Sequence, residues 1–319
     1  AEVFDKSVIE DMGLNAHFNA DSCRACHQDP ILGGAGGLDV NVLRYGFRDP
    51  ESGEYTSLSE SVLPRSALWT ELPAKIDAQA NIVEWRNPPL ALGMGYFENR
   101  TEAEILAFAD PYDADGDGIS GRGHILSDGR LGRYGWKADI PSLSDFVADA
   151  LIKELGMTVE PSLSDFTVAD DFDSCPDPEL PDSDFQALLF FLQELEAPKG
   201  QDATIDGDPE AGAVLFEQVS CGKCHLASVP SYTDLLLHDV APNPAILVDI
   251  FPDVLPTEYR TPPLWGLIHT GPYLHDGSAP TLEDAILMGH YGEAQGSRQA
   301  FESLSEQDKN NLLSFLSTL

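Results

Sequence analysis

The chain has 319 residues, 42 % of them hydrophobic, which is long enough to bury a core and to form about two domains. Its 18 Lys and Arg stand against 54 Asp and Glu, a formal net charge of −36 that excludes nucleic acid and anionic membrane surfaces as partners. No stretch of the sequence is long and apolar enough to form a membrane-spanning helix.

In chain order, residues 1–22 are predicted to form a helix that delivers Cys23-Arg24-Ala25-Cys26-His27. The same C-x-x-C-H pattern returns at Cys221-Gly222-Lys223-Cys224-His225. This is the attachment signal of haem c. About one helical turn separates the thiols, so both reach the vinyl groups on one porphyrin edge, and the adjacent imidazole meets the iron as its proximal ligand. A zinc site would need the two clusters to meet around one ion, and it would not need a histidine after the second cysteine in both copies. Two copies make chance a poor explanation. The expectation is two haem c groups, bound through Cys23 and Cys26 and through Cys221 and Cys224, with His27 and His225 as proximal ligands. Cys175 is left over, so no intrachain disulfide is expected. Haem c is normally attached outside the bacterial cytoplasm. The chain opens on Ala1-Glu2-Val3 with no signal peptide, so it reads as a mature periplasmic or extracellular protein. The acidity suits either adaptation to salt or steering of a basic electron-transfer partner, and both readings stay open.

His17, near the end of the first predicted helix, reads as a surface residue, with an axial ligand as the alternative. The run Gly33-Gly34-Ala35-Gly36-Gly37 predicts a flexible loop folding over the haem edge. Residues 38–80 are mixed, with turns at Asp49-Pro50 and Ser52-Gly53. Then Glu84-Trp85-Arg86-Asn87-Pro88-Pro89-Leu90 finds an echo in Glu258-Tyr259-Arg260-Thr261-Pro262-Pro263-Leu264. Each copy leads to a glycine and an aromatic, and then to an acid-rich helix that opens at Thr101 or Thr281. This internal repeat points to a duplicated cytochrome c domain. Arg86 and Arg260 are candidates to pair with haem propionates, or else form plain salt bridges.

Asp113-Ala114-Asp115-Gly116-Asp117-Gly118-Ile119 opens like a calcium loop, with Asp at positions 1, 3 and 5, Gly at 6 and a carbonyl donor at 7. His124 stands where an EF-hand would place its bidentate Glu, so a looser calcium loop is expected. An amphipathic helix should start at Ser142, with Leu143, Phe146, Val147, Ala150, Leu151 and Leu155 on one face. Residues 167–184 are acidic and Pro-rich and read as the inter-domain connection. Further helices are predicted at 185–195, 210–219, around 282–290 and at 305–317. With few strand signals, the class reads as mainly α: two tandem cytochrome c-like domains, 1–184 with the calcium loop and insertions, and 185–319.

These segments resemble the bacterial di-haem oxidoreductases that carry a thiol-oxidoreductase label. The likeness rests on Phe18-Asn19 with the first motif, 113–121, Gly132-Arg133-Tyr134-Gly135-Trp136-Lys137, Tyr232 to His238, Arg260 to Gly266 and Leu274-His275-Asp276-Gly277. It runs from about residue 18 to the C-terminus. The thiol label finds no support here, because the C-x-x-C cysteines are spent on haem. More distantly the chain is similar to di-haem cytochrome c peroxidases and to the MauG group. That resemblance implies a second calcium held by Asn87, Thr270 and Pro272. It also implies peroxide chemistry, with a small cytochrome as electron donor or a protein or small molecule as substrate. The peroxidases carry a labile histidine where this chain reads Asp77-Ala78-Gln79-Ala80, and a bridging tryptophan where it reads Tyr96-Phe97-Glu98-Asn99. Trp136 is the candidate replacement relay, and Glu98 and His124 are the candidates for the first haem's distal pocket.

For the second haem, the distal ligand should come from 288–290. His290 fits the resemblance best, with Met288 as the alternative. The first haem has no evident distal ligand. It is therefore expected to react, while the second relays electrons. The rival class is a non-enzymatic electron carrier in which His17, Met94 or His124 closes the first haem.

Overall fold

The protein is described from a computed structural model, covering residues 2–5, 17–52, 55–56, 62–63, 66–67, 76–169, 175–241 and 253–319, with backbone only at 17–18, 55–56, 62–63 and 66–67. Helix starts follow their capping residues. Ser142, Thr281 and Ser305 each accept the backbone N–H three residues on, opening helices Leu143–Ala150, Leu282–Gly289 and Glu306–Leu316. Thr101 and Glu104 form a reciprocal capping box for Glu102–Leu106. Asp208, followed by Pro209, caps Pro209–Gln218. Each such cap contributes about 1 kcal/mol. Helix Asp182–Glu194 matches the element expected at 185–195, while helices Met94–Glu98 and Gln295–Glu302 were not predicted.

The fold is mixed helical with small antiparallel sheets, so the mainly α expectation holds in part. Strand Val42–Arg48 pairs with Ile82–Arg86, in the register Val42↔Arg86, Arg44↔Glu84 and Gly46↔Ile82. Along Ile82–Arg86 the buried side chains are Ile82, Glu84 and Arg86, while Val83 and Trp85 are exposed. The alternation is present, but polar residues point inward, so hydrophobic pattern alone hides the strand. Leu237–Asp239 and Glu258–Arg260 form a second small ladder. His17–Phe18 is also a strand, paired with Ser66–Ala67, where a helix end was expected. Residues 6–16 of that predicted helix lie outside the described residues, as does the His17 side chain.

The described chain falls into two units, neither continuous in sequence. One holds Ala1–Gly95 and Ser142–Leu195; the other holds Tyr96–Pro141, Glu196–Ala245 and Phe251–Leu319. This differs from a single boundary at 184/185. Helix Asp182–Glu194 belongs with the first motif, burying Phe185, Leu188 and Leu192. Gly95 approaches its Gln193 carbonyl so closely that a Cβ would lie 2.1 Å away. The acidic loop and Trp136 belong with the second motif. In that unit helices Pro209–Gln218 and Glu306–Leu316 touch at Gly212, where a Cβ would stand 2.0 Å from the Asn311 carbonyl. Phe216, Phe301, Leu282, Leu312 and Leu316 close its core, each burial stabilising by roughly 1.5–3 kcal/mol.

Candidate haem sites

The two C-x-x-C-H segments wind alike. Cys23–Ala25 and Cys221–Lys223 are single 3-10 turns, and the His27 and His225 amides each donate to the first cysteine's carbonyl at 3.0 Å. Each imidazole is then fixed by the carbonyl seven residues downstream. His27 Nδ1–H donates to Gly34 O at 3.3 Å and to Pro89 O at 2.9 Å, and His225 Nδ1–H donates to Tyr232 O at 3.0 Å. A carbonyl only accepts, so each Nδ1 carries the proton and each Nε2 keeps its lone pair for a metal. Burial holds both rings below the usual histidine range, His225 at about 4, so they stay neutral and ligand-competent. Burial pushes the Cys23 and Cys221 thiols up to about 12 and raises Cys224 too. Among the described residues no cysteine, Cys175 included, is joined in a disulfide.

In the second unit, the His290 ring centre lies 6.5 Å from that of His225, tilted 45°. Two imidazoles bonded to one metal at about 2.0–2.1 Å each would place their ring centres roughly this far apart. His290 Nδ1–H donates to Ala285 O at 3.2 Å, again leaving Nε2 available, and burial lowers its pKa. Met288, the alternative, is 41 % exposed. Arg260 donates to the carbonyls of Gly135 and Thr261 at 2.9 and 3.1 Å, with no carboxylate bond among the described residues. Burial brings its pKa down to about 10, so it stays charged at neutral pH and suits an anionic propionate.

His238, at the end of the Tyr232 to His238 segment, is held through both ring nitrogens. Its Nε2–H donates to Asp234 and its Nδ1–H to Glu293, both at 2.9 Å, with Cys224 Sγ 3.7 Å away. Burial pulls its pKa down, but the Asp234, Cys224 and Glu293 bonds outweigh it and raise it to about 12. Glu293 also accepts from the amide and hydroxyl of Ser120. A Cβ on Gly121 would come within 2.6 Å of the His238 ring, so glycine is required there. The Asp234–His238 spacing of four residues was the one local signal; Glu293 lies 55 residues away.

In the first unit, His27 meets the Phe4 ring at 6.5 Å, and no histidine stands beside it among the described side chains. Arg86 forms a buried ion pair with Glu84 at 2.7 Å, which favours the salt-bridge alternative over the propionate one. The Asn87 amide donates to Gly36 O at 3.0 Å and Asn41 Oδ1 at 2.7 Å. Instead of a flexible loop, the glycine run is packed against the motif. A Cβ on Gly34 would lie 2.0 Å from Asp29 O, and one on Gly36 2.6 Å from Cys26 O.

The remaining candidates lie in the second unit. Asp113, Asp115 and Asp117 bring carboxylate oxygens within 4.8 Å of one another. Lys223, from inside the second C-x-x-C-H, pairs with Asp117 at 2.7 Å and lowers its pKa. The Ile119 amide donates to Asp117 at 2.9 Å. Thr270 Oγ1 donates to Leu267 O at 2.9 Å, and Pro272 follows two residues on. Trp136 packs edge-on to His275 at 6.2 Å. His124 is 2 % exposed, its Nδ1–H donating to Lys137 O at 3.0 Å and its Nε2 facing Asp253 at 3.5 Å. Glu98 accepts from Tyr134 Oη at 3.2 Å.

The sequence matches the family described as "Di-haem oxidoreductase, putative peroxidase" over residues 64–231 and 227–319. The chain belongs to the di-haem oxidoreductases. It is also 32 % identical over 134 residues to methylamine utilization protein MauG of Methylorubrum extorquens, a match covering 38 % of this chain and 36 % of MauG. The shared stretch is thus about a third of MauG's length. Among solved structures, hydrazine synthase of Kuenenia stuttgartiensis aligns over 99 % of this chain and 90 % of that one, at 15 % identity and a TM-score of 0.48. A MauG-like protein associated with microbial copper homeostasis aligns over 70 % of this chain and 90 % of that one, at 18 % identity and a TM-score of 0.40. Scores below 0.5 leave both without weight for the fold. The residues of this di-haem oxidoreductase fit the cofactor: three neutral imidazoles with available Nε2 atoms, two thiol pairs and a part-buried arginine whose side chain, among the described residues, bonds to carbonyls. No helix among the described residues is long and apolar enough to cross a membrane.

Proposed function

We propose that this di-haem oxidoreductase is a peroxidase- or MauG-like enzyme with two covalent haems of unequal role. Cys23 and Cys26 hold the first by thioethers, and Cys221 and Cys224 the second. When bound, haem supplies an iron that changes oxidation state. The protein decides what each iron can meet. His27 and His225 are oriented by their Nδ1–H bonds to present Nε2. His290 closes the far side of the second site, making it an electron relay with two imidazole ligands. The first site is left open for peroxide. The observation that carries this reading is the His225–His290 pair at 6.5 Å, set against His27, which has no such partner among the described side chains.

Within this proposal Arg260 binds a propionate of the second haem, and Trp136, beside His275, serves electron transfer. His124 is given no acid–base role, since both its nitrogens face protein partners. The Asp113–Ile119 loop is the proposed calcium site. The second calcium, at Asn87, Thr270 and Pro272, remains an implication of the family resemblance. A periplasmic or extracellular location and a basic electron donor, or a protein substrate, complete the reading, supported by the two C-x-x-C-H motifs and the net charge of −36.

Cyanide titration tests it. The oxidised holoprotein should take up one cyanide per chain, and hydrogen peroxide should perturb the same haem. Uptake of none would reject the open first site, and uptake of two would reject the closed second one.

A further inference from the structure

Tyr134 lies in the segment Gly132 to Lys137, which no role above absorbs apart from Trp136. The segment is held rigidly: the Tyr134 amide donates to Ile140 O at 3.0 Å, and Arg133 Nη1 donates to the carbonyls of Phe97 and Arg100 at 3.1 and 2.8 Å. Tyr134 is 3 % exposed, and its hydroxyl donates to Glu98 Oε2 at 3.2 Å. Burial and the neighbouring Glu98 charge raise the phenol's pKa above its ordinary value, so it does not ionise alone. Loss of an electron would make the phenol strongly acidic. The proton then has a carboxylate already in place to receive it.

The ring also has aromatic neighbours in series. Tyr134 meets Phe97 at 6.4 Å, Phe97 stacks on Trp265 at 5.1 Å and 22°, and Trp265 meets Tyr96 at 5.6 Å. Phe97 and Trp265 are buried, whereas Tyr96 is half-buried beneath Arg100. The series therefore runs from a buried phenol towards solvent. Tyr134 also lies close enough to interact electrostatically with Arg260, the proposed propionate partner.

We propose that Tyr134 is a one-electron relay and that Glu98 is its proton acceptor. In the step, the O–H bond of Tyr134 breaks. One electron goes to an oxidised haem, and the proton passes to Glu98, giving a neutral tyrosyl radical and a neutral carboxylic acid. Return of one electron, from a reducing substrate by way of the aromatic series, brings the proton back from Glu98. The inference rests on the proposed function only for the oxidant, which hydrogen peroxide would generate. It gives Glu98 a role other than the distal acid expected from sequence.

The test is freeze-quench EPR on holoprotein carrying ring-deuterated tyrosine, triggered either by hydrogen peroxide or by flash oxidation with a ruthenium photo-oxidant. The expected result is a tyrosyl signal that is lost in Tyr134→Phe, which keeps the ring and removes only the hydroxyl. In Glu98→Gln it should form about tenfold or more slowly. No tyrosyl signal under flash oxidation, or one that survives Tyr134→Phe, overturns the relay. An unchanged rate in Glu98→Gln overturns the proton acceptor. If peroxide leaves the Soret band unchanged while flash oxidation yields the Tyr134 radical, the peroxide reading falls and the relay stands.

Discussion

The loops that follow the two C-x-x-C-H motifs hold their histidines in the same way, yet they surround them differently. In each, the sixth residue after the histidine accepts a backbone bond from the returning Pro-Pro segment: Gly33 O from Ala91 at 2.9 Å, and Ser231 O from Leu264 at 3.0 Å. In each, the seventh residue's carbonyl fixes Nδ1. Beyond that frame the likeness ends. The first site has Phe4, an Arg86–Glu84 pair and a tight glycine run. The second has His290, an Arg260 bonded to carbonyls, and the Asp234–His238–Glu293 cluster. On the proposed reading, a duplicated frame would preserve how an iron is held from one side. The residues that differ decide what it meets on the other.

The largest effect expected on this contrast comes from His290→Ala. It should abolish the low-spin ferric signal of the second haem outright, whereas Met288→Ala should leave it intact. The reverse result would move the ligand to Met288 and weaken the contrast. Next is His238→Leu, which strands the buried Asp234 and the part-buried Glu293 without their counter-charge. A loss of about 3–5 kcal/mol is expected, read as a lowered Tm. The folded His238 pKa, near 12, lies above its ordinary 6.5. Its stabilisation is therefore complete below about pH 6.5 and fades as the pH climbs towards 12. A Tm that does not depend on His238 across that range would show the cluster to be idle.

Gly34→Ala probes the other side of the comparison. Its Cβ would sit 2.0 Å from Asp29 O, so the loop that holds His27 must shift. Such overpacking costs about 1–3 kcal/mol. Haem content should fall at the first site alone, as measured by intact mass and pyridine haemochrome. The smallest effect belongs to Lys223→Met. Its pair with Asp117 is half-exposed and contributes little, less in high salt. With the ammonium removed, calcium should stabilise the protein more than it does the parent. Calorimetry that finds no calcium binding in either protein would dismiss the loop as a cation site.

Much of this was legible from the residues. The haem motifs, the caps at Thr101, Ser142, Thr281 and Ser305, and the family likeness were all local in sequence. The strands were not, because Glu84 and Arg86 turn inward as an ion pair and invert the expected pattern. Nor was the compactness of the glycine run: composition signals a loop, but only the approach of Asp29 and Cys26 shows why no side chain fits. The Asp234–His238–Glu293 and Tyr134–Glu98 contacts join residues up to 55 positions apart, beyond the reach of spacing rules. The chain's division into two discontinuous units follows from similar long-range packing, as with Gly95 against Gln193.

The central claim is that the two irons have unequal sixth positions. The EPR spectrum of the fully oxidised holoprotein tests it most directly. The account predicts one high-spin and one low-spin ferric signal in equal amounts. Two low-spin signals and no high-spin component would contradict it.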